Sequence, residues 1–109
     1  MINSIEINPL TESAYYILLS LYTPRHGYGI VQNISQLTSD RINMGPGTLY
    51  GAIINLIEKG WIKLVLEDGR KKEYQITQLG IEIMKNEIDR LKELVNNGDK
   101  ILKGEINNV

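Results

Sequence analysis

With 109 residues, 42% of them apolar and 23% charged, the chain has the makeup of one small globular domain and not of a disordered segment. It holds no cysteine, which excludes disulfides, thiolate nucleophiles and cysteine metal sites. Its net charge of −1 lacks the basic balance of a simple nucleic-acid binder, yet residues 25–72 carry seven cations against four anions, a net +3 that the flanks reverse.

Residues 1–10 include Glu6 and Pro9 and lack the cationic start of a secretory leader. No apolar run approaches the roughly 20 residues of a membrane span. A soluble, cytoplasmic protein is therefore expected. Residues 2–8 read as a loose arm. Asn8-Pro9 and Thr11 offer helix caps, and Ala14, Ile17, Leu18 and Leu21 recur at helical spacing. Pro24 and Gly27 end that first helix near Tyr22. A second helix starts near Gly27, with Ile30, Ile34 and Leu37 on one face and Val31 beside them. The polar stretch that follows is rich in turns.

A third helix opens at Pro46, where a missing N–H costs nothing. Leu49, Ile53, Leu56 and Ile57 form its inward stripe, and Lys59-Gly60 is a stop. Residues 61–77 then change period to a β-hairpin around Asp68-Gly69. Ile62, Leu64 and Leu66 share one face, and Tyr74 and Ile76 face inward on the return. From Thr77, an N-cap, the chain is helical to about Lys103, with a weak point at Asn96-Asn97-Gly98. Met84, Ile88, Leu91 and Val95, spaced four, three and four apart, make a coiled-coil seam. So long a helix exceeds what a small domain covers, and a second copy is the expected partner.

This order predicts a mainly α fold with a small β-hairpin: a winged helix-turn-helix with a long C-terminal dimerisation helix. Residues 1–76 would be the DNA-binding domain and 77–109 the dimerisation helix. The turn Gly45-Pro46-Gly47-Thr48 presents free helix N-terminal amides that favour phosphate. It also reads as a helix start needing special backbone angles. A nucleotide-binding P-loop is excluded, since Thr48-Leu49-Tyr50 is not Gly-Lys-Ser/Thr. Gly47, Thr48, Tyr50, Gly51, Ile54 and Asn55 fall off the inward stripe. Thr48 and Asn55 suit base edges and Tyr50 suits phosphate or sugar, though solvent alone also favours a polar face.

Arg70, Lys71 and Lys72 at the hairpin suit a minor groove or phosphates, or else guard an edge strand from aggregation. His26 has no neighbour at ligand spacing and reads as a helix boundary. Tyr15, Tyr16, Tyr22 and Tyr28 read as a core with wet edges. Trp61 either packs on a helix or lines a site for flat ligands. No nucleophile and base, carboxylate pair or metal set can be assembled, so no catalytic residue, metal or cofactor is expected.

Leu10-Thr11-Glu12, His26-Gly27-Tyr28, Gly47-Thr48-Leu49-Tyr50, Glu58-Lys59-Gly60-Trp61-Ile62 and Gly69-Arg70-Lys71-Lys72 with Tyr74 and Ile76-Thr77 occur in this order. Together they resemble the PadR family of bacterial transcriptional regulators, over about residues 10–100, and the length resembles the short subtype with one C-terminal helix. The resemblance implies a homodimer on double-stranded DNA, with third helices in successive major grooves and hairpin tips on the flanking backbone or minor groove. It implies a ligand-responsive repressor of detoxification or efflux genes, released by small hydrophobic or aromatic compounds. The residues expected to meet DNA are Asn43, Gly47, Thr48, Tyr50, Gly51, Asn55, Arg70, Lys71 and Lys72. Met84, Ile88, Leu91 and Val95 would hold the dimer. Family members often carry a basic or polar residue where Ile54 stands and an acidic one where Ile57 stands. Some drug-binding members have a tryptophan on the last helix, and residues 77–109 have none. The alternatives are a protein interaction module and a small-molecule sensor without DNA binding.

Overall fold

A computed structural model of the chain describes residues 9–104; the expected arm at residues 2–8 and the last five residues of the 77–109 segment lie outside them. The elements run α1 (Glu12–Ser20), α2 (Gly27–Leu37), α3 (Pro46–Glu58), β1 (Ile62–Asp68), β2 (Lys71–Ile76) and α4 (Gln78–Leu102). This is the winged helix-turn-helix order. Three helix starts are closed by a side chain. The Thr11 hydroxyl accepts from the Ala14 N–H, His26 Nδ1 accepts from the Gly29 N–H, and the Thr77 hydroxyl accepts from the Gly80 N–H. His26 thus begins α2, as a boundary residue should.

Ile17 and Leu18 of α1, Leu21 just after it, Ile30 and Ile34 of α2, and Leu49, Ile53 and Leu56 of α3 meet in one core with Ile62, Tyr74, Ile76 and Met84. Two stripes are narrower than the spacing suggests. Leu37 and Ile57 are exposed, because three inward positions per helix already fill the space between elements this short.

The hairpin departs from strict alternation. Ile62 pairs with Ile76 and Leu64 with Tyr74, but the register shifts before Leu66 pairs with Glu73. Val65 is the extra residue of a β-bulge, so Leu66 leaves the face shared by Ile62 and Leu64. Glu67 and Lys72 take its place on the Tyr74 side. Leu64, Val65 and Leu66 are all exposed. Asp68 pairs with Lys71, leaving Gly69-Arg70 as a two-residue loop in which Gly69 has φ +62°. Beyond β2, the Arg25 N–H donates to the Tyr74 carbonyl (3.1 Å) and the Tyr74 N–H to the Arg25 carbonyl (2.9 Å). This short bridge ties the α1–α2 connection to the wing.

The turn between α2 and α3 is strained and then secured. Ser39 (φ +50°) and Asp40 (φ +65°) adopt left-handed backbone, at roughly 1–2 kcal/mol each for a non-glycine residue. The Asp40 N–H donates to the Ser35 carbonyl at 2.8 Å, and the Ser35 hydroxyl donates to the Asp40 carboxylate. Arg41 reaches back to Glu12 in a two-pronged pair, Nη2 to Oε2 at 2.6 Å.

Where the hairpin ends, Thr77 closes a junction. Its N–H donates to the Trp61 carbonyl (2.9 Å) and its hydroxyl to the Gly60 carbonyl (2.6 Å). Gly80, one turn into α4, lies so near that a Cβ there would overlap the Trp61 carbonyl oxygen. The helix α4 continues without a break through Asn96-Asn97-Gly98, where a weak point was expected. No described helix is long and apolar enough to cross a membrane.

Candidate nucleic-acid interface

The start of α3 differs from the other three helix starts. Gly45 at its N-cap offers no side chain, and Pro46 follows. The amides of the first turn therefore carry no side-chain cap and face outward beside exposed Gly47 and Thr48. A Cβ at Gly45, Gly47 or Gly51 would meet nothing within 4 Å. The bare stretch is a property of the outer surface and not of internal packing. With Leu49, Ile53 and Leu56 inward, Gly47 and Gly51 fall opposite, a turn apart, and Ile54 and Asn55 follow one turn on.

Tyr50 leans away from this ridge toward the wing. Its ring covers Gly27, where a Cβ would overlap the Tyr50 hydroxyl. A groove of about 300 Å³ lies there, lined by Tyr28 and Tyr50 and by Arg70, Lys71, Lys72 and the buried Tyr74. An apolar recess of about 320 Å³ adjoins it, lined by Val31, Met44, Pro46 and the same two tyrosines. Burial raises the Tyr74 phenol above its ordinary pKa, helped by the neighbouring Tyr50 hydroxyl and the Glu67 carboxylate. Aromatic faces, hydroxyls and cations in one channel are the chemistry that holds a sugar–phosphate chain.

The cations of this region are not equally available. Arg25 donates through Nε to the Ser20 carbonyl (2.9 Å), and Arg41 is paired with Glu12. Lys59 Nζ sits 4.7 Å from the Trp61 ring centroid, a cation–π contact. Lys72 lies 3.8 Å from its cross-strand neighbour Glu67. Arg70 and Lys71 have no ion-pair partner among the described residues. The wing, residues 62–76, carries Lys63, Arg70, Lys71 and Lys72 against Glu67, Asp68 and Glu73, a net +1, with its unpaired arginine at the loop.

The expected DNA-contacting residues separate into groups. Tyr50, Arg70, Lys71 and Lys72 share the groove, while Gly47 and Gly51 lie along the ridge. Asn55 opens onto another recess, of about 270 Å³, which Lys59, Trp61, Asn86 and Glu87 also line. Asn43 has its side chain engaged in the turn, accepting from the Ser35 hydroxyl (3.3 Å) and donating to the Asp40 carbonyl (2.9 Å). Tyr28 was expected among core tyrosines and is instead 68% exposed at the groove. Its spacing opposite Ile30 and Ile34 was the available signal. Tyr22 is likewise exposed, whereas Tyr15 and Tyr16 are half-buried and pack edge to face with centroids 5.5 Å apart.

On α4 the expected seam divides. Met84 is fully buried in the core of its own chain and offers no surface to a second copy. Periodicity does not distinguish a stripe facing home from one facing a partner. Ile88 and Leu91 are half-buried, and Val95 is 63% exposed beside exposed Leu94.

A family model described as the transcriptional regulator PadR-like family matches residues 17–86. A solved transcriptional regulator from Clostridium thermocellum superposes with a TM-score of 0.69 at 25% identity, over 82% of this chain and 90% of that one. Among curated proteins, an alanine–tRNA ligase of Caldicellulosiruptor saccharolyticus is 46% identical over 92% of this chain. A 37.1 kDa protein in a transposon of Streptomyces fradiae is 35% identical over 65% of it. The chain matches 11% and 20% of those two proteins' lengths.

Proposed function

The chain belongs to the PadR-like family of transcriptional regulators, and from that membership we propose that it recognises a DNA operator in sequence-specific fashion and acts on it as a homodimer. In this reading α3 enters the major groove. Its uncapped amides and the Tyr28–Tyr50 groove hold phosphates, while Arg70 and Lys71 follow the backbone or the adjoining minor groove. Thr48 and Asn55 are the hydrogen-bonding base readers. The observation that carries the reading is the wing, where two free cations stand beside an aromatic-lined groove and an open helix start. Ile88, Leu91 and Val95 supply the dimer contact, joined by Leu94. Residues 1–76 then form the reading head and the later turns of the 77–109 segment the dimer arm.

The test is binding of the full chain to duplex DNA from upstream of its own gene, followed by fluorescence anisotropy over a salt series. Arg70→Glu with Lys71→Glu lowers affinity for every sequence and flattens the dependence of log affinity on log salt by about one or more per cation removed. An unchanged affinity and slope would remove the wing from the interface. Asn55→Ala changes sequence preference; a uniform loss would make Asn55 a backbone contact.

Repression of detoxification or efflux genes, relieved by a small hydrophobic or aromatic compound, is the family-based part of the proposal. The recess beside Trp61 supports it, because it touches α1, the end of α3 and α4 together. Such a compound would release the DNA complex of the native chain and not that of a Trp61→Ala variant.

A further inference from the structure

We propose that Ile54 is a specificity determinant that reads thymine through the C5-methyl group in the major groove. The proposal rests on the reading of α3 as the helix that enters that groove. Ile54 is 60% exposed on a helix whose inward stripe is complete in Leu49, Ile53 and Leu56. Packing within the chain therefore gives it no task. Along the outer ridge, Gly47 and Gly51 put no side chain between backbone and ligand. Ile54 is the first bulky group beyond them, on the part of the helix that the glycines allow to come closest to base edges.

The chemistry of the ridge narrows what it can read. Pro46–Glu58 contains no Arg or Lys, so α3 cannot make the two-pronged contact to guanine O6 and N7. An amide pairs with adenine and not with guanine, and with Asn43 held by Ser35 and Asp40 in the turn before the helix, Asn55 is left as the amide reader of α3. Among the groups a base pair presents in the major groove, only the thymine methyl is apolar. A branched aliphatic side chain there gains free energy against thymine. Against any other base it leaves a polar edge without its water.

The test removes the methyl and nothing else. A short duplex enriched from a randomised pool by the full chain is remade with deoxyuridine replacing thymine one position at a time, which keeps base pairing and the O4 acceptor. The native chain loses about fourfold in affinity at one or two positions per half-site, as expected for one methyl taken from an apolar contact. Ile54→Ala binds thymine and deoxyuridine duplexes alike at those positions, and its thermal unfolding matches the native chain because the site is exposed. Three results would overturn the proposal. Tight binding by the native chain with no deoxyuridine effect is one and a full effect kept by Ile54→Ala is the second, and both leave the DNA reading of α3 intact. If no duplex is enriched at all, the DNA reading itself fails, and the exposed Ile54 face then belongs to a protein contact.

Discussion

The two halves of α4 are built on one continuous helix and do opposite things. In the first half Gly80, Met84 and Glu87 are buried against the chain's own core, and Glu87 joins distant parts of it. Its carboxylate takes a two-pronged donation from Arg90, at 2.8 and 2.7 Å, and accepts the Leu10 N–H at 3.2 Å. In the second half Leu94, Val95, Ile101 and Leu102 are exposed. A single amphipathic period therefore serves intramolecular packing at one end and leaves the same stripe uncovered at the other. Folding and assembly should respond to different substitutions along it.

Gly80→Ala is the sharpest way to test that division. The added methyl meets a backbone carbonyl that is itself held by the Thr77 N–H, so the loss is about 3 kcal/mol, read as a lower denaturant midpoint. A change below about 0.5 kcal/mol would mean that the first half is not clamped to the core.

Glu87→Gln comes next, at about 2 kcal/mol, since it removes charge from a nearly buried pair. It also changes the acid response. The hydrogen bond from Arg90, and then that from the Leu10 N–H, holds the Glu87 carboxyl below its ordinary value of 4.5, against the opposing effect of burial. The stabilisation is complete above that ordinary value and disappears as pH falls through the depressed folded value. Thermal midpoints of the native chain should fall across that acid range, and those of Glu87→Gln should fall less. Parallel curves would break the assignment.

Leu94→Glu with Val95→Glu addresses the other half. Sedimentation should show monomers, while unfolding of the dilute chain shifts by less than about 0.5 kcal/mol. Persistent dimers would move the interface elsewhere. Leu102→Ser, at the 87% exposed end of the helix, should have the smallest effect, with stability unchanged and self-association altered by no more than about twofold.

What was legible in the sequence is what local chemistry decides. Thr11, His26, Pro46 and Thr77 each mark a helix start within a residue, because a cap acts over three or four positions. Asp68-Gly69 likewise locates the turn. The misses have non-local causes. The bulge at Val65 depends on how two strands settle against the core, so alternation alone placed Leu66 on the wrong face. Met84 belongs to a stripe that reads identically whether it meets its own chain or another. Asn43 looks free in sequence, and only the fold of the turn brings Ser35 and Asp40 to it. Among the proposed contacts, the wing cations stood out by type. Tyr28 did not, because an aromatic near a helix start suits a core equally well.

Thr77 binds the end of the wing and the start of α4 to the same two residues that close α3, Gly60 and Trp61. In the proposed dimer, a rigid corner there makes the distance between the two reading heads a fixed gauge. Operators whose half-sites are moved apart by a few base pairs then lose one of the heads, since the second half-site rotates to a side of the duplex that the arm cannot follow.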